Sequence, residues 1–147
     1  HHGVVVPSRH PLARVRPLTL EAVAKHPIVT YDPTFAGRSA IDAAFERRAL
    51  APDIVLTALD SDVIKSYASL GLGVGIISSI AFDRRKDRGL VLLAADHLFP
   101  VQTTRLAFRK GAWLRGYAVE FIRLFVPHLT REALDRLAAG RGEDFAI

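Results

Sequence analysis

Thr30, Arg38, Ser39, Asp60 and Ser61 are the residues whose types and spacing could hold a small anion. Thr30 sits near the end of the apolar, β-branched run Ile28-Val29-Thr30-Tyr31, and Gly37-Arg38-Ser39 opens the helix-like stretch after it. Asp60-Ser61-Asp62 stands in the same relation to Ile54-Val55-Leu56-Thr57-Ala58-Leu59. A helix that starts directly after a strand leaves its free amides at the strand's carboxyl end, where open α/β sheets take small ligands. If the two strands are neighbours, both helix starts face one rim, and each favours an anion by about 0.3–1 kcal/mol. Arg38 could add a charge-assisted hydrogen bond, and Thr30 a hydroxyl. The alternative is that Ser39, Asp60 and Ser61 only cap their helices, which is the common use of such residues.

No constellation for catalysis stands out. Gly71, Gly73 and Gly75 precede a strand, whereas a dinucleotide-binding fingerprint follows one and opens a helix. They read as a helix end at Gly71 and close backbone packing beyond it. Ser78 and Ser79 lie in Gly-Ile-Ile-Ser-Ser-Ile, which is no nucleophile elbow. The six histidines show no ligand spacing apart from the adjacent His1 and His2, and there is no cysteine. No metal, cofactor or thiol chemistry is expected.

Composition is that of an ordinary globular chain of 147 residues, half hydrophobic and a quarter charged. The longest apolar runs, such as residues 90–95, are far too short to span a bilayer, and no signal peptide is visible, so no membrane partner is expected. The net charge of +5 comes from scattered basic residues without a nucleic-acid-binding signature, so direct nucleic-acid binding by this segment is not expected. A chain without methionine that opens straight into Val4-Val5-Val6 and Pro7 reads as a fragment.

Hydrophobic patterning supplies the elements that would position the rim. Strands are predicted at residues 4–6, 28–31, 54–59, 76–80 and 90–93, those at 54–59 and 90–93 as buried ones, with a further strand at 105–109. Residues 10–17 read as a connector and residues 82–89 as a charged surface turn. Helices are predicted at about 19–24, from a Ser39 cap with Asp42 in the first turn, and from Asp60 or Ser61 with Val63, Ile64, Tyr67 and Leu70 on the apolar face. A helix over about 114–129 would bury a stripe of Tyr117, Phe121, Leu124 and Phe125, and Thr130 would cap a last helix ended by Gly140. Strands alternating with helices predict an α/β sandwich with a largely parallel sheet.

Several segments, in this order and spacing, resemble the effector-binding domain of LysR-type transcriptional regulators. They are Ile28-Val29-Thr30-Tyr31, Phe35-Ala36-Gly37-Arg38-Ser39, Asp60-Ser61-Asp62-Val63-Ile64-Lys65-Ser66-Tyr67, Leu70-Gly71-Leu72-Gly73-Val74-Gly75, Thr103-Thr104 and Phe125-Val126-Pro127-His128-Leu129-Thr130. The likeness runs over residues 4–137 and is greatest to the CysB-like branch, which controls sulfur assimilation. The glycine segment is typical of the wider family, whereas the Phe-x-Gly-Arg-Ser turn and the Pro-His-Leu-Thr corner point to that branch.

That resemblance implies a type II periplasmic-binding-protein-like sensor domain, α/β in class, with residues 7–99 as a complete second lobe. Residues 100–137 would supply the return strand and closing helices of the first lobe, and residues 138–147 a tail. It implies a cytoplasmic regulator of sulfur metabolism, not an enzyme, acting as a homodimer or homotetramer. Such a protein contacts DNA through an N-terminal helix-turn-helix that this chain does not contain. The effector would be a small sulfur-linked anion or metabolite such as sulfate, adenylyl sulfate or O-acetylserine, bound in an interlobe cleft. The residues assigned to it are Thr30, Thr34, Phe35, Ala36, Gly37, Arg38, Ser39, Asp60 and Ser61. The branch has threonine where this chain has Ala36, which removes one anion-binding hydroxyl and implies a shifted preference, with Thr34 a possible substitute. A transporter's solute-binding protein shares the fold but would need an export signal. An enzyme on the same scaffold would need a paired acid and base that the sequence does not offer.

Overall fold

The valine run at residues 4–6 forms the middle of β1 (His2–Pro7), and all three side chains are fully buried. In this computed structural model residues 1–101, 106–109 and 111–140 are described. The chain divides into two units, His1–Gln102 and Thr103–Ile147. In the first, β1 is joined by β2 (Ile28–Tyr31), β3 (Ile54–Ala58), β4 (Val74–Ser78) and β5 (Leu90–Ala94) in the sheet order β3-β2-β4-β1-β5. β2 pairs parallel with both β3 and β4, and β1 runs antiparallel to β4 and β5. Four strands therefore point one way and β1 points the other. β1 is an interior strand of this sheet.

Among the described residues of that unit there are also three helices and two 3-10 turns: α1 (Leu20–Val23), α2 (Arg38–Glu46), α3 (Ser61–Ser69), and turns at Pro11–Arg14 and Ser79–Ala81. The residues read as a connector thus contain a turn, fixed because the His10 ring accepts from the Leu12 N–H. Thr19 caps α1 by accepting from the Ala22 N–H. Ile41, Ala44 and Phe45 of α2 join the valines of β1 and the isoleucines of β2 and β4 in one core. Gly71, at φ +80°, ends α3 as expected, and its successor donates back to the Tyr67 carbonyl. Gly73 is required by close approach, since a Cβ there would stand 2.6 Å from the Pro27 carbonyl oxygen.

Several expectations about faces are corrected. β3 and β5 are the two edges of the sheet, and they are half-buried where fully buried strands were predicted. An unbroken apolar run reads alike at an edge and at the centre, because pairing is decided by the rest of the sheet. On α3 the buried residues are Ile64, Lys65 and Ala68, while Val63, Tyr67 and Leu70 are exposed. Ile64, as predicted, and Ala68 descend onto Gly75 of β4, where the missing side chain lets the helix approach, and this turns the other three predicted residues outward. α2 begins at Arg38, one residue before the predicted cap. Gly37 occupies the cap position, and Ser39 donates its hydroxyl to the Ala36 carbonyl. Asp42 is beyond the first turn and pairs with Arg38.

The second unit contains α4 (Gly116–Phe125) and α5 (Arg131–Ala138). Leu114, Val119, Ile122, Val126 and Leu129 bury against Leu134 and Ala138. Tyr117, Phe121, Leu124 and Phe125, predicted as core, are exposed on the far face of α4. The 3-4 spacing of Val119, Ile122 and Val126 competes with that of the aromatics, and α5 takes the aliphatic side. Thr130 caps α5 through the Ala133 N–H, and Gly140 follows it at φ +72°, both as predicted. The strand expected at 105–109 is not found at residues 106–109, and Thr103, Thr104 and Arg105 lie outside the described residues. So does the tail from residue 141.

Candidate anion-binding site

Tyr31, Ala58 and Ser78 end the three parallel strands β2, β3 and β4 at one rim of the first unit's sheet. The turn 32–37 leaves that rim and returns to start α2. Asp32 shapes the turn: its Oδ1 accepts from the Thr34 N–H at 2.9 Å and from the Thr34 hydroxyl at 2.6 Å. These bonds, the hydroxyl's first, hold the Asp32 carboxyl below the usual aspartate pKa. The Phe35 ring stacks on Tyr31 with centroids 4.3 Å apart. Arg38 then staples the turn to the strand, donating from Nη1 to the Tyr31 carbonyl and from Nε to Asp42 Oδ1, both at 2.7 Å.

The open groups at this rim are mainly backbone and hydroxyl. The N–H groups of Ala36 and Gly37 have no backbone acceptor among the described residues, and neither does Arg38 Nη2 have an acceptor there. Consecutive unpaired amides at a helix start form a concavity that suits an oxyanion. Tyr31 supplies the link to the neighbouring strands: its phenol oxygen accepts from the Ser78 N–H at 2.9 Å and lies 2.7 Å from Ser61 Oγ. When the phenol donates to Ser61, the serine keeps its own proton for an acceptor at the rim.

The structure thus gathers Phe35, Ala36, Gly37, Arg38 and Ser61 around Tyr31. Thr34 is exposed beside them, with its hydroxyl engaged by Asp32. Thr30 is fully buried and donates to the Ile76 carbonyl within the sheet, so its hydroxyl faces the core and not the rim. Asp60 caps α3 by accepting from the Asp62 N–H at 2.6 Å, and Ser39 points back at Ala36. Two residues were missed. One is Tyr31, which patterning marks only as a strand residue, though a tyrosine ending a buried strand carries its hydroxyl past the apolar layer. The other is Ser78, whose N–H donates to the Tyr31 phenol at this rim. Among the described residues no three His, Asp or Glu side chains gather to hold a metal ion, and no helix is long and apolar enough to cross a membrane.

A mixed α/β sheet with open amides at the strand ends defines a small-ligand-binding domain. The chain belongs to the LysR substrate binding domain family, whose pattern its residues 1–130 match. It is 54% identical over 129 residues to the HTH-type transcriptional regulator SsuR of Burkholderia cenocepacia, covering 88% of this chain and 42% of that protein. To the HTH-type transcriptional regulator CysB of the same organism it is 47% identical over 147 residues, covering 100% of this chain and 47% of CysB. The chain therefore spans less than half the length of these curated relatives. Among solved structures it is similar to the cofactor-binding domain of the Cbl transcriptional regulator, with a TM-score of 0.79 and 39% identity over 94% of this chain and 60% of that one. The fold is accordingly the type II periplasmic-binding-protein-like fold of LysR effector-binding domains.

Proposed function

We propose that this chain is the effector-sensing part of a LysR-type, DNA-binding transcriptional regulator of sulfur metabolism, serving cysteine biosynthesis or the use of sulfonates and sulfate esters. The effector is a small sulfur-linked anion held at the rim formed by residues 35–38 and Ser61. The observation that carries this is the pair of open amides at Ala36 and Gly37, flanked by the Arg38 guanidinium, in a chain 54% identical to SsuR. Thr34, Ser39 and Asp60 shape the same rim, and Thr30 supports it from within the sheet. In the longer protein the ligand sits between two lobes, a separate segment contacts DNA, and the regulator works in the cytoplasm as a homodimer or homotetramer. The ligand shifts the balance between conformations only by its difference in affinity for them, and a full switch needs about 5.5 kcal/mol.

Calorimetric titration of the full-length protein with sulfate, thiosulfate, adenylyl sulfate and O-acetylserine tests this. Saturable binding of one of them, weakened at least tenfold by Gly37→Pro, is expected. Absence of heat with all four, in a folded sample, would overturn the sulfur assignment.

A further inference from the structure

The first unit's other rim carries a second polar feature with different chemistry. Pro7 pairs with Leu90, so Ser8 and Gly89 lie at the opposite end of the sheet from Ser78, which pairs with His2. There a groove of about 540 Å³ is lined by Gly89, by residues 90–93 of β5, and by Arg14, Arg16, Arg84 and Arg88. None of these four arginines has a carboxylate partner among the described residues. The one acid lining the groove, Asp87, is already held by the Lys65 ammonium at 3.0 Å and by the Asp83 N–H at 2.8 Å.

The floor of the groove is a sheet edge. Among the described residues β5 pairs only with β1, so alternate residues present their N–H and C=O groups outward, and the half-buried Val91 and Leu92 offer apolar area in the groove. Both walls are set in advance. Arg14 ends the 3-10 turn fixed by His10, and Ser8 donates to the Gly89 carbonyl. Arg84 and Arg88 flank a loop closed by Asp83 and Asp87, whose carboxylate is tied to Lys65 on α3. Preset walls cut the cost of ordering on binding.

We propose that the outer edge of β5 accepts an extended acidic segment of a partner protein as an added strand, with Arg14, Arg16, Arg84 and Arg88 pairing with its carboxylates. Backbone pairing would supply affinity, and the four guanidiniums would select for acidic side chains. Charges along an edge also discourage self-pairing. That role needs only charge, whereas this edge combines charge with a walled, partly apolar groove.

Fluorescence anisotropy with a labelled octapeptide of alternating Glu and Thr, added to the full chain, provides the test. Saturable binding is expected, at least tenfold weaker for the exposed quadruple variant Arg14→Gln, Arg16→Gln, Arg84→Gln, Arg88→Gln. The same peptide N-methylated at alternate residues should lose at least fivefold, and a Lys-Thr peptide should not bind. No binding, or equal binding of the N-methylated peptide, would overturn the added strand. Tighter binding of duplex DNA than of the peptide, lost in the same variant, would overturn the assignment by naming a nucleic-acid surface instead.

Discussion

At the rim beyond Tyr31 and Ser78, polar side chains are bonded to one another and the groups left open are largely backbone amides. At the opposite rim, before Leu90, the backbone of the loop is closed and four guanidiniums have no carboxylate among the described residues. The first arrangement gives fixed, short-range donors suited to one small anion. The second gives exposed charges spread along an extended sheet edge. Internal bonding at the first rim therefore matters as much as exposure, because it is what holds the amides still.

The largest effect expected from breaking this contrast is at Lys65, which is buried and joins α3 to the loop bearing Arg84 and Arg88. Burial alone would lower the pKa of its ammonium, but hydrogen bonds and charge from Asp62 and Asp87 outweigh burial and hold it above the usual lysine value. Lys65→Ala strands a mostly buried Asp87 carboxylate and should cost about 3 kcal/mol in urea unfolding. An unchanged midpoint would mean that the loop is held by its own turns.

Arg38→Met comes next. It removes two charge-assisted hydrogen bonds and should cost about 1.5–3 kcal/mol of stability. A loss of ligand affinity with no loss of stability would show that Arg38 acts mainly on the ligand rather than on the turn. Ala36→Thr sharpens the site in the other direction. The added hydroxyl should improve sulfate affinity by about 0.5–1.5 kcal/mol in calorimetry. No gain would mean that position 36 does not face the bound anion.

Much of the fold was legible because local chemistry decided it. Thr19, Asp60 and Thr130 each cap the helix that follows, and Gly71 and Gly140 end theirs, since short side chains and positive φ act over a few residues. Faces were less legible. Val63, Tyr67 and Leu70 obey a helical period as well as Ile64 and Ala68 do, and only the hollow at Gly75 of β4 settles which set turns inward. The same holds for Tyr117 and Phe121 against Val119 and Ile122. At the rim, the sequence located the turn and Arg38 but not the inward rotation of Thr30 or the reach of the Tyr31 hydroxyl. Both depend on the register of β2 against β4.

The smallest expected effect is one of pH. His2 is buried with its ring edge-to-face against Phe99, and Nδ1 has no partner among the described residues. Burial lowers its pKa below the ordinary 6.5. With the folded value depressed, protonation favours the unfolded chain. Its contribution is complete above about pH 6.5 and is lost as pH falls through that value toward the folded pKa. Urea midpoints should be lower at pH 5.5 than at pH 7.5, and His2→Phe should narrow the gap. An equal gap in the variant would assign the dependence to other groups.

The most direct test of the contrast between the rims is an amide-resolved NMR titration of the ¹⁵N-labelled protein with thiosulfate and sulfate. Saturable shifts centred on Ala36, Gly37, Arg38, Ser61 and Ser78 are expected, with residues 84–92 unmoved. Shifts centred on Arg84, Arg88 and β5 instead, with the turn at 35–38 silent, would contradict it.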